Sequence, residues 1–359
     1  MYRRRTFFVI LFFWHHLIAL AACYYVLQNG GDALQYWFTG TDLSAASWGD
    51  YLNPGTDFIR FFTFPFVKYL NLPLWAGFLM FSVLSFPAVW LLFRMLWQVA
   101  DGKKIPQVLA VLLMLLPNFH FWTGIIGKEV PVVTALVVFL YEVHRRRYRS
   151  LLLMLSVVVL ALIRPHVSFI LVVSYVISLM LTGTLPRRLM LAAAGITVLL
   201  TSVFTVILLQ LQDFTGGFGR VIRKYEAHIR YFQTTDSYVP LDEYALLLKF
   251  FTFYFRPLPG EKEGLLYAIT GAENMLVLLL MLFAGYVLIR KFRSMRKSML
   301  VVLPLVFLFL FGMMYVFAYA NYGIIMRSKV MALPFISLFV LQSLKSQSLN
   351  DKRQGIWLR

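Results

Sequence analysis

The residues of this chain best placed to do chemistry are an aspartate just beyond one apolar run and four cations at the tips of others. Asp32 follows Asn29-Gly30-Gly31, where the two glycines let the chain turn sharply. A carboxylate at a membrane surface suits general-base work, taking the proton of a sugar hydroxyl as that oxygen attacks an activated donor. Its pKa would need only the modest tuning of a partly buried setting. The competing role is an N-cap aspartate opening a short helix. Asp42, Asp50 and Asp57 lie farther along the same polar segment and are weaker candidates.

Lys128, Arg164, Arg256 and Arg327 each fall in a short turn between apolar segments. Glu129 adjoins Lys128, and Glu261, Glu263 and Glu273 follow Arg256. Ionisable groups at membrane depth are costly, so they face a bundle interior and pair there or bind a ligand. Converging on one vestibule, four cations would clamp a phosphate or pyrophosphate, the guanidinium forks supplying bidentate geometry. The alternative is that each side chain snorkels singly to the interface. Arg164 argues most strongly against it, because Arg164-Pro165-His166 interrupts the apolar run 150–186 with almost no loop. Pro165 disfavours helical backbone at Arg164, which predicts two spans meeting there with their tips in a polar vestibule.

Around these charges, His120 and His166 are candidate acid/base groups, and Tyr36 and Trp122 are candidate sugar-stacking faces, with Glu129, Glu273 and Asn321 as further polar contacts. Membrane interfaces collect aromatic residues in any case. His15 and His16, inside the first apolar run, are expected to hydrogen-bond to neighbouring helices. The glycine-rich 215–219 reads as an anion nest or a linker. No metal-ligand spacing, phosphate loop, G-x-S-x-G or dinucleotide fingerprint is present, so neither cofactor nor metal is expected, and ATP hydrolysis and dinucleotide chemistry are unlikely on this chain.

The elements that must hold these groups are membrane helices. Of 359 residues 60% are hydrophobic and 14% charged, against about 25% charged in ordinary soluble proteins. Apolar segments near the ~20 residues that cross a bilayer recur along the chain. The net charge of +18 sits in short knots at 2–5, 101–104, 144–149, 186–188 and 290–297, the positive-inside signature rather than a nucleic-acid surface. Only Asp101, Glu142 and Asp351 of the 16 acidic residues share that side. Cys23 is the single cysteine and excludes an intramolecular disulfide; the "LAAC" around it resembles a lipoprotein site, yet the apolar run continues, which reads as an uncleaved signal-anchor.

The expected fold is therefore all-α: a polytopic bundle of about ten spans, some short or broken, with both termini cytoplasmic. One integral membrane domain covers 1–345 and a cytoplasmic tail 346–359, with large outer segments at 28–73 and 211–270. Spans are placed at about 6–27, 74–98, 105–118, 129–143, two flanking Arg164, 189–210, 271–289, 299–319 and 330–344. Within the outer segments, 58–70, 218–232 and 241–255 read as amphipathic helices lying in the interface.

"PNFHFWTGIIGKE", "IRPH", "FTFYFRPLPGE" with "ENMLVLLL", and "NYGIIMR" together resemble the layout of bacterial polytopic glycan-assembly proteins. These are the EpsG-like and Wzy-like polysaccharide polymerases and, more distantly, the GT-C-type membrane glycosyltransferases. The resemblance runs from about 28 to 335. It implies a base in the first external segment, the place of Asp32, and engagement of an undecaprenyl-type lipid-linked glycan by Arg164, Arg256, Arg327 and the 211–270 segment. Membrane lipids and other polysaccharide-assembly proteins are the further partners it implies, in a bacterial inner membrane. The adjacent acid pair common in GT-C enzymes is absent. A flippase for such lipids and a non-catalytic component of an export complex are the rival readings.

Overall fold

Apolar segments without water to satisfy their peptide groups close those groups internally as helices, and every regular segment among the described residues is helical. The computed structural model describes residues 2–38, 46–184 and 218–354, with Arg188, Ala192 and Gly195. Among the described residues three helices are long and apolar enough to cross a bilayer: α1 (Tyr2–Asn29), α4 (Leu74–Ala100) and α12 (Leu265–Arg290). Two bent pairs raise the number to five. α5 (Lys104–Met114) and α6 (Pro117–Gly124) meet at 45°, and α14 (Tyr322–Lys329) and the start of α15 (Leu333–Gln354) at 55°. Pro117 opens α6 at its first turn, where its missing N–H costs nothing.

Shorter helices complete the bundle: α7 (Glu129–His144), α8 (Leu151–Ile163), α9 (Pro165–Leu181), α11 (Leu246–Phe255) and α13 (Met299–Tyr315). Small helices α2 (Asp32–Phe38) and α3 (Thr56–Lys68) sit between α1 and α4, and α10 (Phe218–Gln233) precedes α11. α7 packs on α4 and α8, and α13 on α9 and α15. Aromatic contacts close the seams, with Phe7 against Phe93 at 4.4 Å and Phe307 stacked on Phe335 at 3.8 Å. Large apolar side chains face outward along whole helices, such as Phe13 and Leu17 on α1, Leu151 and Leu152 on α8, and Leu279 and Leu282 on α12. Contiguous exposed apolar surface of that extent marks contact with lipid; this is a multi-pass membrane protein.

The run 150–186 does break at Arg164, which is extended (φ −140°, ψ 78°) between α8 and α9. The chain folds back on itself there. Ser168 Oγ donates to the Val157 carbonyl at 2.9 Å and the Tyr175 hydroxyl to the Tyr148 carbonyl at 3.1 Å, contacts that a continuous helix would keep far apart.

Several boundaries differ from the sequence reading. α12 begins at Leu265, inside the expected outer segment 211–270, and α15 continues helically through the expected tail to Gln354. The expected loop after the third span is the buried helix α6. Of the amphipathic helix expected over 218–232, Ile229 and Phe232 are buried; the side chains of Val221, Ile222 and Tyr225, most of the span 189–210, Asp42 and most of 215–219 lie outside the described residues.

Candidate functional site

The chain turns from α1 into α2 through Gly30 (φ 76°) and Gly31 (φ 136°), left-handed backbone that a side chain would strain. The turn leaves Asp32 as the first residue of α2, with half its side chain, 51%, exposed. α2 is held by what lies under it. Trp37 is fully buried against α4, where a Cβ at Gly77 would come within 2.5 Å of the indole. Thr63 of α3 donates to the Tyr36 carbonyl at 2.8 Å.

Opposite Asp32 stands Arg327 of α14, its guanidinium divided between two carboxylates. Nη1 donates to Asp32 Oδ2, and Nε donates to Glu129 Oε1 at 2.6 Å. Glu129 opens α7 and is wholly buried, a placement the positive end of the helix dipole favours. Its Oε1 also accepts from Arg164 Nη2, while Oε2 has no partner among the described residues. Arg164 then donates from Nη1 to the Tyr315 hydroxyl at 3.1 Å, and His166 Nε2 lies 3.2 Å from that same oxygen. A single relay thus runs Asp32–Arg327–Glu129–Arg164–Tyr315–His166 across five helices.

Lys128 precedes Glu129 in the turn and forms no ion pair among the described residues. Burial, then the Arg164 and Arg327 charges, push its pKa down. Three cations therefore face two carboxylates, leaving one positive charge in excess. Burial pushes the Tyr36 phenol up, with the Arg327 cation pulling the other way.

A pocket of about 190 Å³ opens over this relay, with Asp32, Glu129 and Arg327 at one wall. Tyr25, Phe121 and Trp122 form an aromatic side, with Arg327 5.8 Å over the Trp122 ring. Asn321 lines the far side. It caps α14 by accepting from the Ile324 amide at 3.2 Å and donates to Thr235 Oγ1 at 2.9 Å.

Of the four cations expected to converge on one vestibule, Arg327 lines this pocket, while Arg164 stands behind it on Glu129 and Lys128 is the residue before Glu129. Arg256 is outside the pocket, its Nε held by both Glu261 oxygens at 2.8 and 2.9 Å and its plane over Tyr244 and Tyr322. It neutralises its own loop.

His120 is also removed from the site. It is fully buried, with Nδ1 2.9 Å from His15 Nδ1 and Nε2 2.6 Å from the Met114 carbonyl. Facing a carbonyl, Nε2 must carry the proton, so Nδ1 accepts from His15. His15 bonds to a neighbouring helix as expected, its unprotonated Nε2 accepting from the Ser85 hydroxyl at 2.9 Å, but the buried His16 nitrogens have no partner among the described residues.

Glu273 lies behind the pocket, accepting from the Asn118 amide at 2.8 Å beside the buried Lys329. It reaches the site only indirectly, since Asn118 Oδ1 accepts from Trp122 Nε1 at 3.1 Å. Tyr315 is the member of the relay that sequence reasoning missed, because a tyrosine ending an apolar helix reads as an interfacial anchor. Among the described residues no group of three His, Cys, Asp or Glu side chains could hold a metal ion. No known protein family, no curated protein and no solved structure matches this chain.

Proposed function

We propose that this protein is a glycosyltransferase or repeat-unit polymerase of a bacterial inner membrane, acting on polyprenyl-(pyro)phosphate-linked sugars at the outer-face pocket. The observation that carries the reading is the pairing, in one pocket with an aromatic wall, of the half-exposed Asp32 carboxylate with Arg327, whose buried partner Glu129 also holds Arg164 behind the pocket. Asp32 takes the proton of the acceptor hydroxyl while the acceptor oxygen bonds to the anomeric carbon. The bond from that carbon to the carrier phosphate oxygen breaks, and the departing phosphate keeps its electron pair. Lys128, Arg164 and Arg327 stabilise the charge that develops there.

Arg327 connects the two halves of the step. A phosphate that draws the guanidinium toward itself releases Asp32 to act as base, so donor binding and base activation are coupled through one side chain. The pocket is smaller than the ~300–1,000 Å³ of sites for drug-sized ligands. It admits the reacting sugar and leaves the rest of a longer glycan outside.

The full proposal includes about ten spans with both termini cytoplasmic and α3, α10 and α11 in the interface. What supports it is that α7, α9 and α13, though short, each reach from this pocket's end of the bundle to the basic end. A flippase for the same lipids is the second reading, favoured by Lys329, a buried cation at the break between α14 and α15, with Glu273 of α12 lining the same small cavity.

Turnover and binding of a polyprenyl-linked oligosaccharide in nanodiscs, for wild type, Asp32→Asn and Lys128→Gln, test the proposal. Asp32→Asn is expected to bind and transfer nothing, and Lys128→Gln to weaken binding. Glycan crossing the bilayer without a new glycosidic bond establishes the flippase, and absence of both binding and transfer rejects both readings.

A further inference from the structure

At the other end of α7 the structure holds a second, larger cavity, of about 610 Å³. Glu129 at the first residue of α7 lines the first pocket and His144 at its last lines this one, ~22 Å apart along the helix axis. Arg146, Lys297 and Lys345 surround it, and none of its described lining residues is Asp or Glu. Asp101 approaches Lys345 only at 4.0 Å from outside. The start of α13, Ser298 to Leu300, forms one wall, where the first amides of a helix lack intrahelical acceptors and the dipole favours an anion.

His144 gives an independent sign of an unmet partner. Its Nε2 lies 3.0 Å from Gln98 Oε1, while its Nδ1 is buried without any partner. Burial, then the Lys345 and Arg145 charges, hold its imidazole below the usual pKa.

The positive-inside rule accounts for basic residues on one face. It does not require them to ring a concave cavity with a helix N-terminus in its wall. We propose that this cavity binds a phosphate-bearing anion, held by Arg146, Lys297, Lys345 and the α13 amides. The volume falls in the range of small-ligand sites and suits a lipid headgroup or a free phosphate compound. This site is separate from the transfer chemistry proposed above and does not depend on it.

The test uses the full-length protein in phosphatidylcholine nanodiscs, following its unfolding midpoint against added phosphatidylglycerol in the discs or inorganic phosphate in the buffer. The wild-type midpoint should rise. The concentration giving half the effect should increase at least tenfold in Lys297→Gln with Lys345→Gln, and in part in each single variant, which serves if the double variant does not fold. Arg293→Gln, exposed on the same face outside the cavity, should behave as wild type at this site. A response to phosphatidylglycerol alone identifies a membrane headgroup, and a response to phosphate a soluble ligand. No response in wild type, an unchanged response in the double variant, or an equal loss in Arg293→Gln overturns the proposal. In those cases the cations merely serve the C-terminal ends of α4 and α7.

Discussion

Glu129 and Asp32 share Arg327 yet stand in opposite physical situations, and this separates their contributions. Glu129 is fully buried and is the common counter-charge of two arginines whose side chains are only 12% and 17% exposed. Removing one partner of a buried ion pair leaves an uncompensated charge and costs about 3–5 kcal/mol. Glu129→Gln should lower stability by that order in thermal unfolding. Asp32 is half in solvent, where an ion pair contributes about 0–1 kcal/mol. Asp32→Asn should therefore leave the unfolding midpoint nearly unchanged while abolishing transfer. A large stability loss for Asp32→Asn would make it a structural residue and remove it from the chemistry. Arg327→Lys discriminates further, because a point charge cannot span two carboxylates as the planar fork does. At least tenfold slower turnover with a correctly folded protein is the expected result, and wild-type turnover would show that only charge is needed at that position.

At the scale of elements, the site depends on close approaches more than on propensity. α2 reaches Arg327 only because Gly77 of α4 lets Trp37 lie against the helix, with Ile126 Cδ1 within 2.8 Å of where a Cβ would stand. Overpacking of a filled core costs about 1–3 kcal/mol, so Gly77→Ala should destabilise by that amount. It should also displace α2 and slow transfer, and a variant with wild-type stability would show that α2 adjusts freely. This contact was invisible in the sequence, since Gly77 and Trp37 belong to elements whose packing no local pattern encodes. The hairpin at Arg164 was legible because Pro165 acts on its immediate neighbour. Asp32, Arg164 and Arg327 were legible as charges at the ends of apolar runs, since burial of charge is costly wherever it occurs, whereas the bridging of both arginines by Glu129 was not. Arg256 shares that signature but is consumed by Glu261, five residues on, a pairing set by the path of its own loop. His120 shows the same limit: its ring nitrogens find partners in His15 and Met114, one of them on a helix far away in sequence.

For the whole molecule, the two cavities define two ends. α7 and α13 run between them in opposite directions: Glu129 begins α7 at the first pocket, and Ser298 caps α13 at the second. Helices of 16 and 17 residues extend ~24–26 Å, slightly less than the ~30 Å hydrocarbon core, a mismatch that local thinning of the bilayer accommodates. Charge sorts along the same axis, with Asp32 and Glu129 at one end and the 144–149 and 290–297 knots at the other. In the proposed topology, with the basic knots on the cytoplasmic side as the positive-inside rule has them, the relay faces outward. Single cysteines in a Cys23→Ser background read this directly. Asn53→Cys, exposed near the relay end, should react with an impermeant maleimide added to intact cells, and Ser294→Cys, exposed in the basic knot, only after permeabilisation. Reversed labelling would invert the topology and place the relay where cytoplasmic substrates reach it. Labelling of both positions in intact cells would mean that no bilayer separates the two ends, and the short helices would then not be spans.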